Sequence, residues 1–506
     1  MQNQKSRFTE IRDQRLEKLA KLRELGINPF PAQSVKDHPN QHIIDNYSKF
    51  EGKELTLTGR LMSWRGHGKL NFADLQDQSG TIQLVCKEGD LTDTSADAQT
   101  IGFSDLNLID IGDFVQVTGK VGKTKSGQLS LMVTSLSLLT KSIRPLPEKR
   151  EGLKDKEQIF RRRYLDLTMN QESREMFVRK SKFWAANRKF LTDQGFIEVE
   201  TPVLEHVTGG ADAKPFVTHH HALDQDFYLR ISQELQLKRL IGGGFEKVFN
   251  LGPNFRNEGI DDEHLQEYYQ CEWYWAYADY QDNMNMLVEM FRYIAMEVYG
   301  RTEFTRGEHT FDLANDWVKI DYVEIIQDKL GIDIFTDSLE KMLSVLKEHK
   351  VKLTGEVTKS RVIDNLWKIL RRDIAGPAFL INEPKFMSPL AKSKMESPEL
   401  TERFHIVIAG SELGNGYSEL NDPVDQLERF REQQGARDAG DEESQMLDID
   451  YVEMLEYGMP PTSGYAHSER LFWFLENVTA REGTLFPQMK SHISPMTRNI
   501  YGIKED

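Results

Sequence analysis

Residues 245 to 275 read FEKVFNLGPNFRNEGIDDEHLQEYYQCEWYW, and this stretch constrains the fold more than any other. Val248, Phe249 and Leu251 have the chemistry of a strand, while Tyr268, Gln270, Glu272 and Tyr274 recur at a spacing of two. That period puts polar and aromatic groups on one side of a second strand, so two antiparallel strands joined by an acidic loop, with one face turned into a cleft, are expected. Taken alone, Arg256 beside Glu258 reads as an ordinary cross-strand ion pair. The residues around it decide otherwise.

The chain has 506 residues, enough for two or three domains that each bury a core without disulfides. Cys86 and Cys271 are its two cysteines, far apart and in no CxxC pattern, so a zinc site or a disulfide framework is not expected and a reducing cytoplasm fits. The first residues, MQNQKSRFTEIRDQRLEKLA, lack the apolar centre of an export signal, and no apolar run approaches the roughly 20 residues of a membrane helix. A formal charge of -16 argues against a general nucleic-acid coat, although it leaves room for a local basic surface.

Along the chain, residues 6 to 25 place Ile11, Leu16, Leu19, Leu22 and Leu25 close together on a helix that Gly26, Pro29 and Pro31 stop. Its other face carries Arg7, Arg12, Arg15, Lys18, Lys21 and Arg23, and reads either as solvated or as phosphate-contacting. From Lys53 to Leu139 the period falls to two, which predicts a small barrel of about five strands with a helix near Phe103 to Asp110. GKVGKT lacks phosphate-loop spacing, and the following SGQ marks a hairpin. A linker follows at Arg144 to Gly152, then a helix from about Glu172 to Gln194 that leads through Gly195 to Pro202.

His219, His220 and His221 adjoin one another, so on a strand they point to opposite faces and do not form a metal site. Gly242 to Gly244 end a helix. From Asp321 to Arg372 apolar residues recur every three or four positions, predicting a helical insertion with no sign of chemistry. A strand is expected over Phe404 to Ile408. Beyond it Glu412 and Glu419 sit beside apolar sequence, where a carboxylate is costly unless a cation neutralises it.

Phe255-Arg256-x-Glu258 followed by His264, Glu272 and Tyr274 resembles motif 2 of the class II aminoacyl-tRNA synthetases, the strand-loop-strand that grips ATP. The helix before Pro202 is similar to motif 1, Ser468-Glu469-Arg470-Leu471 to motif 3, and GGADAKPF with GNGYSELNDP to the lysine pocket of the bacterial-type class II lysyl-tRNA synthetases. The barrel and its exit LLTKSIRPLPEK resemble the anticodon-binding OB-fold of that family. The resemblance implies an α+β fold: a class II catalytic domain on an antiparallel sheet behind an N-terminal OB-fold β-barrel. The implied boundaries are a helical extension over 1–50, the barrel over 51–143, a linker over 144–170 and the catalytic domain over 171–506, with its insertion at about 321–375.

The resemblance further implies a lysine-tRNA ligase that forms lysyl-adenylate from L-lysine and ATP and passes lysine to the 3′ end of its tRNA, in the cytoplasm, as a homodimer through motif 1. Arg256, Glu258, His264, Tyr268, Glu412 and Arg470 would hold ATP, with Arg256, Glu258 and Arg470 catalytic. Gly209, Glu234, Glu272, Tyr274, Asn415, Tyr417 and Glu419 would surround lysine. Arg65, Phe72 and Gln83 would take the central anticodon base, although Phe72 alone reads equally well as a core residue. Mg2+ would sit at Glu412 and at residue 405.

Three departures stand out: His264-Leu265-Gln266-Glu267-Tyr268 replaces HNPEF, GYAHSER replaces a glycine-rich approach to motif 3, and His405 stands where a magnesium-binding glutamate is usual. Imidazole is a poor magnesium ligand. Two other readings are a paralogue that lysylates a protein, against which the retained barrel counts, and a catalytically weak tRNA-binding protein.

Overall fold

The computed structural model describes residues 7–147, 155–353, 357–440 and 444–504, so part of the expected linker lies outside the described residues. Two compact units are present, one formed by residues 1–154 with 491–506 and one by 155–490. The C-terminal residues therefore group with the barrel rather than with the catalytic unit in which they were expected.

In the first unit, β1 (Glu54–His67), β2 (Leu70–Gln76), β3 (Thr81–Lys87), β4 (Phe114–Lys123) and β5 (Leu129–Thr140) close into a barrel in the order β1-β2-β3-β5-β4. Alternation drives the closure: Leu55, Leu57, Leu61, Leu75, Leu84, Val117 and Leu131 point inward and are buried. Gly119 is required where β4 crosses β5, because a Cβ there would overlap the Met132 carbonyl. A 3-10 turn over Phe103–Leu108 takes the place of the expected helix.

The helix Arg7–Glu24 buries Leu22 but leaves Leu16 exposed, as is Leu25 just past its end, so its apolar stripe is narrower than the spacing suggested. Its cationic face is also not uniformly outward. Arg15 is buried and donates to Ile111 O at 2.8 Å and Ser142 Oγ at 2.7 Å, while Lys18 binds Asp110 at 2.7 Å. Those two cations dock the helix onto the unit, Arg15 buried and Lys18 partly exposed.

In the second unit the strands are β6 (Ile197–Glu198), β7 (Leu204–Glu205), β8 (Val217–His220), β9 (Gln225–Leu229), β10 (Lys247–Phe255), β11 (Glu267–Ala276), β12 (Glu303–Arg306), β13 (His309–Asp312), β14 (Val318–Asp321), β15 (Ala378–Ile381), β16 (Arg403–Ile408), β17 (Ser411–Ser418) and β18 (Thr462–Ser468). Eight of them form one sheet in the order β14-β15-β16-β17-β18-β11-β10-β6, antiparallel except for the outer pairs β14/β15 and β10/β6. The remaining five form two small sheets, β7-β9-β8 and β12-β13.

Period two in β11 sends Cys271 and Trp273 into a core with Phe183, Phe249, Phe291, Phe404 and Phe472, packed beneath the helices Gln171–Asp193 and Tyr280–Tyr299. Gln270, Glu272 and Tyr274 face the other way. On that side, the helices Glu234–Gly242 and Ile449–Tyr457 supply a second core around Leu237, Tyr451 and Leu455. The insertion folds as helices Tyr322–Leu330, Leu339–Glu348 and Lys359–Leu370 around Ile326, Met342, Ile363 and Trp367.

Candidate active site

Register builds the cleft. Glu272 on β11 is opposite Ala466 on β18, which is opposite Asn415 on β17, which is opposite His405 on β16. Directly opposed residues share a face, so these four form one row across the sheet. The neighbouring row runs Tyr274, Gly464, Tyr417, Arg403. Glycine is needed at 464, because a Cβ there would fall on the Tyr274 ring and on Glu419 Oε1.

Above these rows lies a cavity of about 610 Å³. Of the expected site residues, Arg256, Glu258, His264, Tyr268, Glu412 and Arg470 line one part, and Glu234, Glu272, Tyr274, Asn415 and Tyr417 line another. Gly209 is not on the wall, but Gly210 is. Glu419 is fully buried and pairs with Lys238, and its Oε1 lies beside Gly464 of the wall.

At the end lined by Arg256 and Arg470, the Arg256 guanidinium lies over the Tyr268 ring at 5.4 Å, and Arg256 N donates to Gln266 O at 2.8 Å, closing the strand-loop-strand. His264 Nδ1 meets Asp261 at 2.8 Å. Arg470 heads the helix Arg470–Glu476 and donates to Glu412 O at 3.0 Å, while its other terminal nitrogen is paired with Glu263 of the acidic loop.

Glu412 is occupied on both oxygens: Trp367 Nε1 donates to Oε1 at 2.5 Å, Arg371 pairs with Oε1 at 3.2 Å, and His405 Nδ1 faces Oε2 at 3.2 Å. Burial would raise its carboxyl, but His405, Arg371 and Trp367 outweigh that and hold it well below the usual range. His405 Nε2 faces Glu383 at 3.3 Å. Burial would lower this imidazole, yet Glu383 and Glu412 raise it to about 9. A protonated ring cannot ligate a metal, and Mg2+ demands a set of oxygen ligands. Residue 405 therefore does not supply the oxygen ligand that a resident magnesium ion demands. Among the described residues no group of three or more His, Cys, Asp or Glu side chains is arranged to hold a metal.

At the other end, Glu272 accepts from Gln270 Nε2 and Tyr274 Oη at 2.8 Å and from Gln233 N at 3.2 Å. Burial, and then the charge of Glu234, push its carboxyl up to about 7. Tyr417 Oη donates to Glu234 Oε1 at 2.6 Å. Asn415 Oδ1 accepts from Arg403 at 3.2 Å.

The insertion does contribute to the site, contrary to its featureless sequence: Asp364, Lys368 and Arg371 line the cavity and Trp367 anchors Glu412. Arg403 and Glu383 also escaped notice, since nothing local links them to the motifs, as did Glu263, although it sits next to His264 in the acidic loop. Lys238 had a legible signal, a lysine one helical turn after Glu234.

A cleft of this kind on an antiparallel sheet, in a chain that also carries a five-stranded barrel, defines a class II aminoacyl-tRNA synthetase architecture. The chain belongs to the class II tRNA synthetases (D, K and N), whose family profile matches residues 155–490, and residues 55–139 match the OB-fold nucleic acid binding domain. Among curated relatives, the lysine–tRNA ligase of Bacillus subtilis (strain 168) is 42% identical over 504 residues, covering 97% of this chain and 100% of that protein. The lysine–tRNA ligase of Thermotoga maritima is 42% identical over 493 residues (95% and 96% covered), and that of Thermosipho africanus is 43% identical over 494 residues (95% and 96% covered).

Proposed function

We propose that this chain is a lysine-tRNA ligase, and the observation that carries the reading is the wall formed by Glu234, Glu272, Tyr274 and Tyr417 in one cavity with Arg256 and Arg470. Two carboxylates buttressed by tyrosine hydroxyls suit the two ammonium groups of L-lysine, and a site built on buried charge rejects side chains that leave it unpaired. The lysine carboxylate attacks the α-phosphorus of ATP, pyrophosphate leaves, and Arg256 stabilises the charge that builds on the phosphoryl oxygens. Tyr268 offers its ring to the adenine and Arg470 its guanidinium to the nucleotide. In the second step a ribose hydroxyl at the 3′ end of the tRNA attacks the acyl carbon and AMP leaves.

Magnesium enters this scheme as part of the Mg-ATP substrate. In the barrel, Arg65, Phe72 and Gln83 take the anticodon. The homodimer of our reading forms along the helix Gln171–Asp193 and edge strand β6, where Val178 and Ile197 are exposed. A reducing cytoplasm suits the free thiols of Cys86 and Cys271. Among the described residues no helix is long and apolar enough to cross a membrane.

ATP–pyrophosphate exchange with each amino acid in turn, followed by charging of purified lysine tRNA, tests the reading. Lysine alone should support exchange, and the tRNA should be charged with it. Exchange with a different amino acid, or none at all, would sink it.

A further inference from the structure

The insertion helix Lys359–Leu370 turns Val362, Ile363, Leu366 and Trp367 into its own core, while Asp364 and Lys368, one turn apart, and Arg371 just past its end line the cavity. Two side chains dock this helix on one residue of the sheet. Trp367 Nε1 donates to Glu412 Oε1 at 2.5 Å, and Arg371 pairs with the same oxygen at 3.2 Å. The Glu412 carbonyl in turn accepts from Arg470 at 3.0 Å, so the insertion helix and Arg470 meet at a single position of β17. Lys368 stands between the two docking residues in the chain and lines the same cavity as Arg256 and Arg470. Its ammonium pairs with Asp364 at 2.6 Å, with 45% and 37% of the two side chains exposed. An exposed helical pair of this kind is weak, so a phosphate, which carries more charge than a carboxylate, can take the ammonium from Asp364.

We propose that Lys368 binds the β- and γ-phosphates of ATP, and so the pyrophosphate that leaves, a role that rests on the ligase reading. Arg256 is committed to the α-phosphorus. As the lysine carboxylate oxygen bonds to that phosphorus, the bond to the bridging oxygen breaks and its electron pair leaves with pyrophosphate. A cation on the leaving side stabilises the charge gathered there. Trp367 and Arg371 are positioning residues, because their grip on Glu412 holds the helix face that bears Lys368 against the cavity.

Pyrophosphate exchange and nucleotide inhibition test the role. Lys368→Met should raise the KM for ATP and for pyrophosphate by about tenfold or more, as loss of a charge-assisted hydrogen bond requires, with the lysine KM within about twofold of wild type. AMP lacks both outer phosphates, so its inhibition constant should not move. Lys368→Arg keeps the charge and should hold both raised values within about threefold of wild type. Asp364→Asn breaks the same helical pair but leaves the ammonium, so the ATP KM should not rise. A pair that served only the helix would be hurt equally by either change.

An unchanged ATP KM in Lys368→Met, an AMP constant that weakens as much as the ATP KM, or an Asp364→Asn variant as impaired as Lys368→Met overturns the proposal. So does an effect confined to the tRNA KM in charging, which would give this cation to a phosphate of the tRNA 3′ end. Wild-type protein without exchange for any amino acid would instead overturn the ligase reading. Lys368 is then read from melting temperatures alone: a rise with pyrophosphate in wild type but not in Lys368→Met supports the phosphate site, and equal rises or none overturn it.

Discussion

Arg65 and Phe72 stand directly opposite each other on β1 and β2, and Gln83 is opposite Asp74, the next residue on that face. All three proposed anticodon residues thus share one outer face of the barrel, while Ala73 and Leu75 point into its core. Phe72 is half-buried and outside that core, which removes the packing alternative the sequence left open. Phe72→Ala should weaken tRNA charging by roughly 5- to 150-fold, the equivalent of about 1 to 3 kcal/mol of base stacking. Exchange and the melting temperature should stay near wild type; normal charging kinetics would exclude Phe72 as the platform.

Glu272 makes lysine binding depend on pH. Its carboxyl, lifted to about 7 by burial and by Glu234, is largely neutral at pH 6 and ionised at pH 8. A neutral group cannot pair with an ammonium, so the lysine KM should fall about tenfold between those two values. The ATP KM serves as the control. In Glu272→Gln the lysine KM should be high at both pH values and the slope lost.

His467 acts on stability. It is buried and bonded through Nε2 to Asn187 Oδ1 at 2.8 Å, and burial lowers it to about 3. Its folded-state value lies below the unfolded one, so the unfolded chain takes up the proton first. Stability is therefore full above about pH 6.5 and is lost as pH falls toward 3, amounting to about 2 kcal/mol at pH 5. Urea unfolding at pH 7.5 and pH 5 should show this loss in wild type and less of it in His467→Gln, which keeps a donor for Asn187. Equal losses in the two proteins would clear His467.

His405→Glu places a third carboxylate beside Glu383 and Glu412 in place of the imidazole that separates them. Like charges at that spacing repel, and the cluster becomes a site for a hard divalent cation. The variant should melt below wild type, and millimolar Mg2+ or Mn2+ should raise its melting temperature while leaving that of the wild type unmoved. A metal-dependent rise in the wild type would show that the native pair does hold an ion.

Much of this molecule was legible locally. Alternation sufficed for the barrel and for β10 and β11, because a strand with one buried face must repeat every two residues. The Phe255-Arg256-x-Glu258 motif and the GNGYSELNDP stretch pointed to the cleft, since their side chains lie close together in the chain and their spacing survives folding. Which way Phe72 faced, and that Arg15 turns inward while Lys18 pairs with Asp110, was settled by strand register and helix docking.

Charge compensation was the part the sequence alone could not supply. The expectation that Glu412 and Glu419 need cations was sound, but those cations proved to be the protein's own, His405 and Arg371 for one and Lys238 for the other. A carboxylate's partner is chosen by distance in space, and burial decides how much that partner matters. Arg371 reaches Glu412 from a helical insertion and Lys238 reaches Glu419 from the helix Glu234–Gly242. Neither relation leaves a trace in local periodicity, so tertiary structure alone decided how the site is charged.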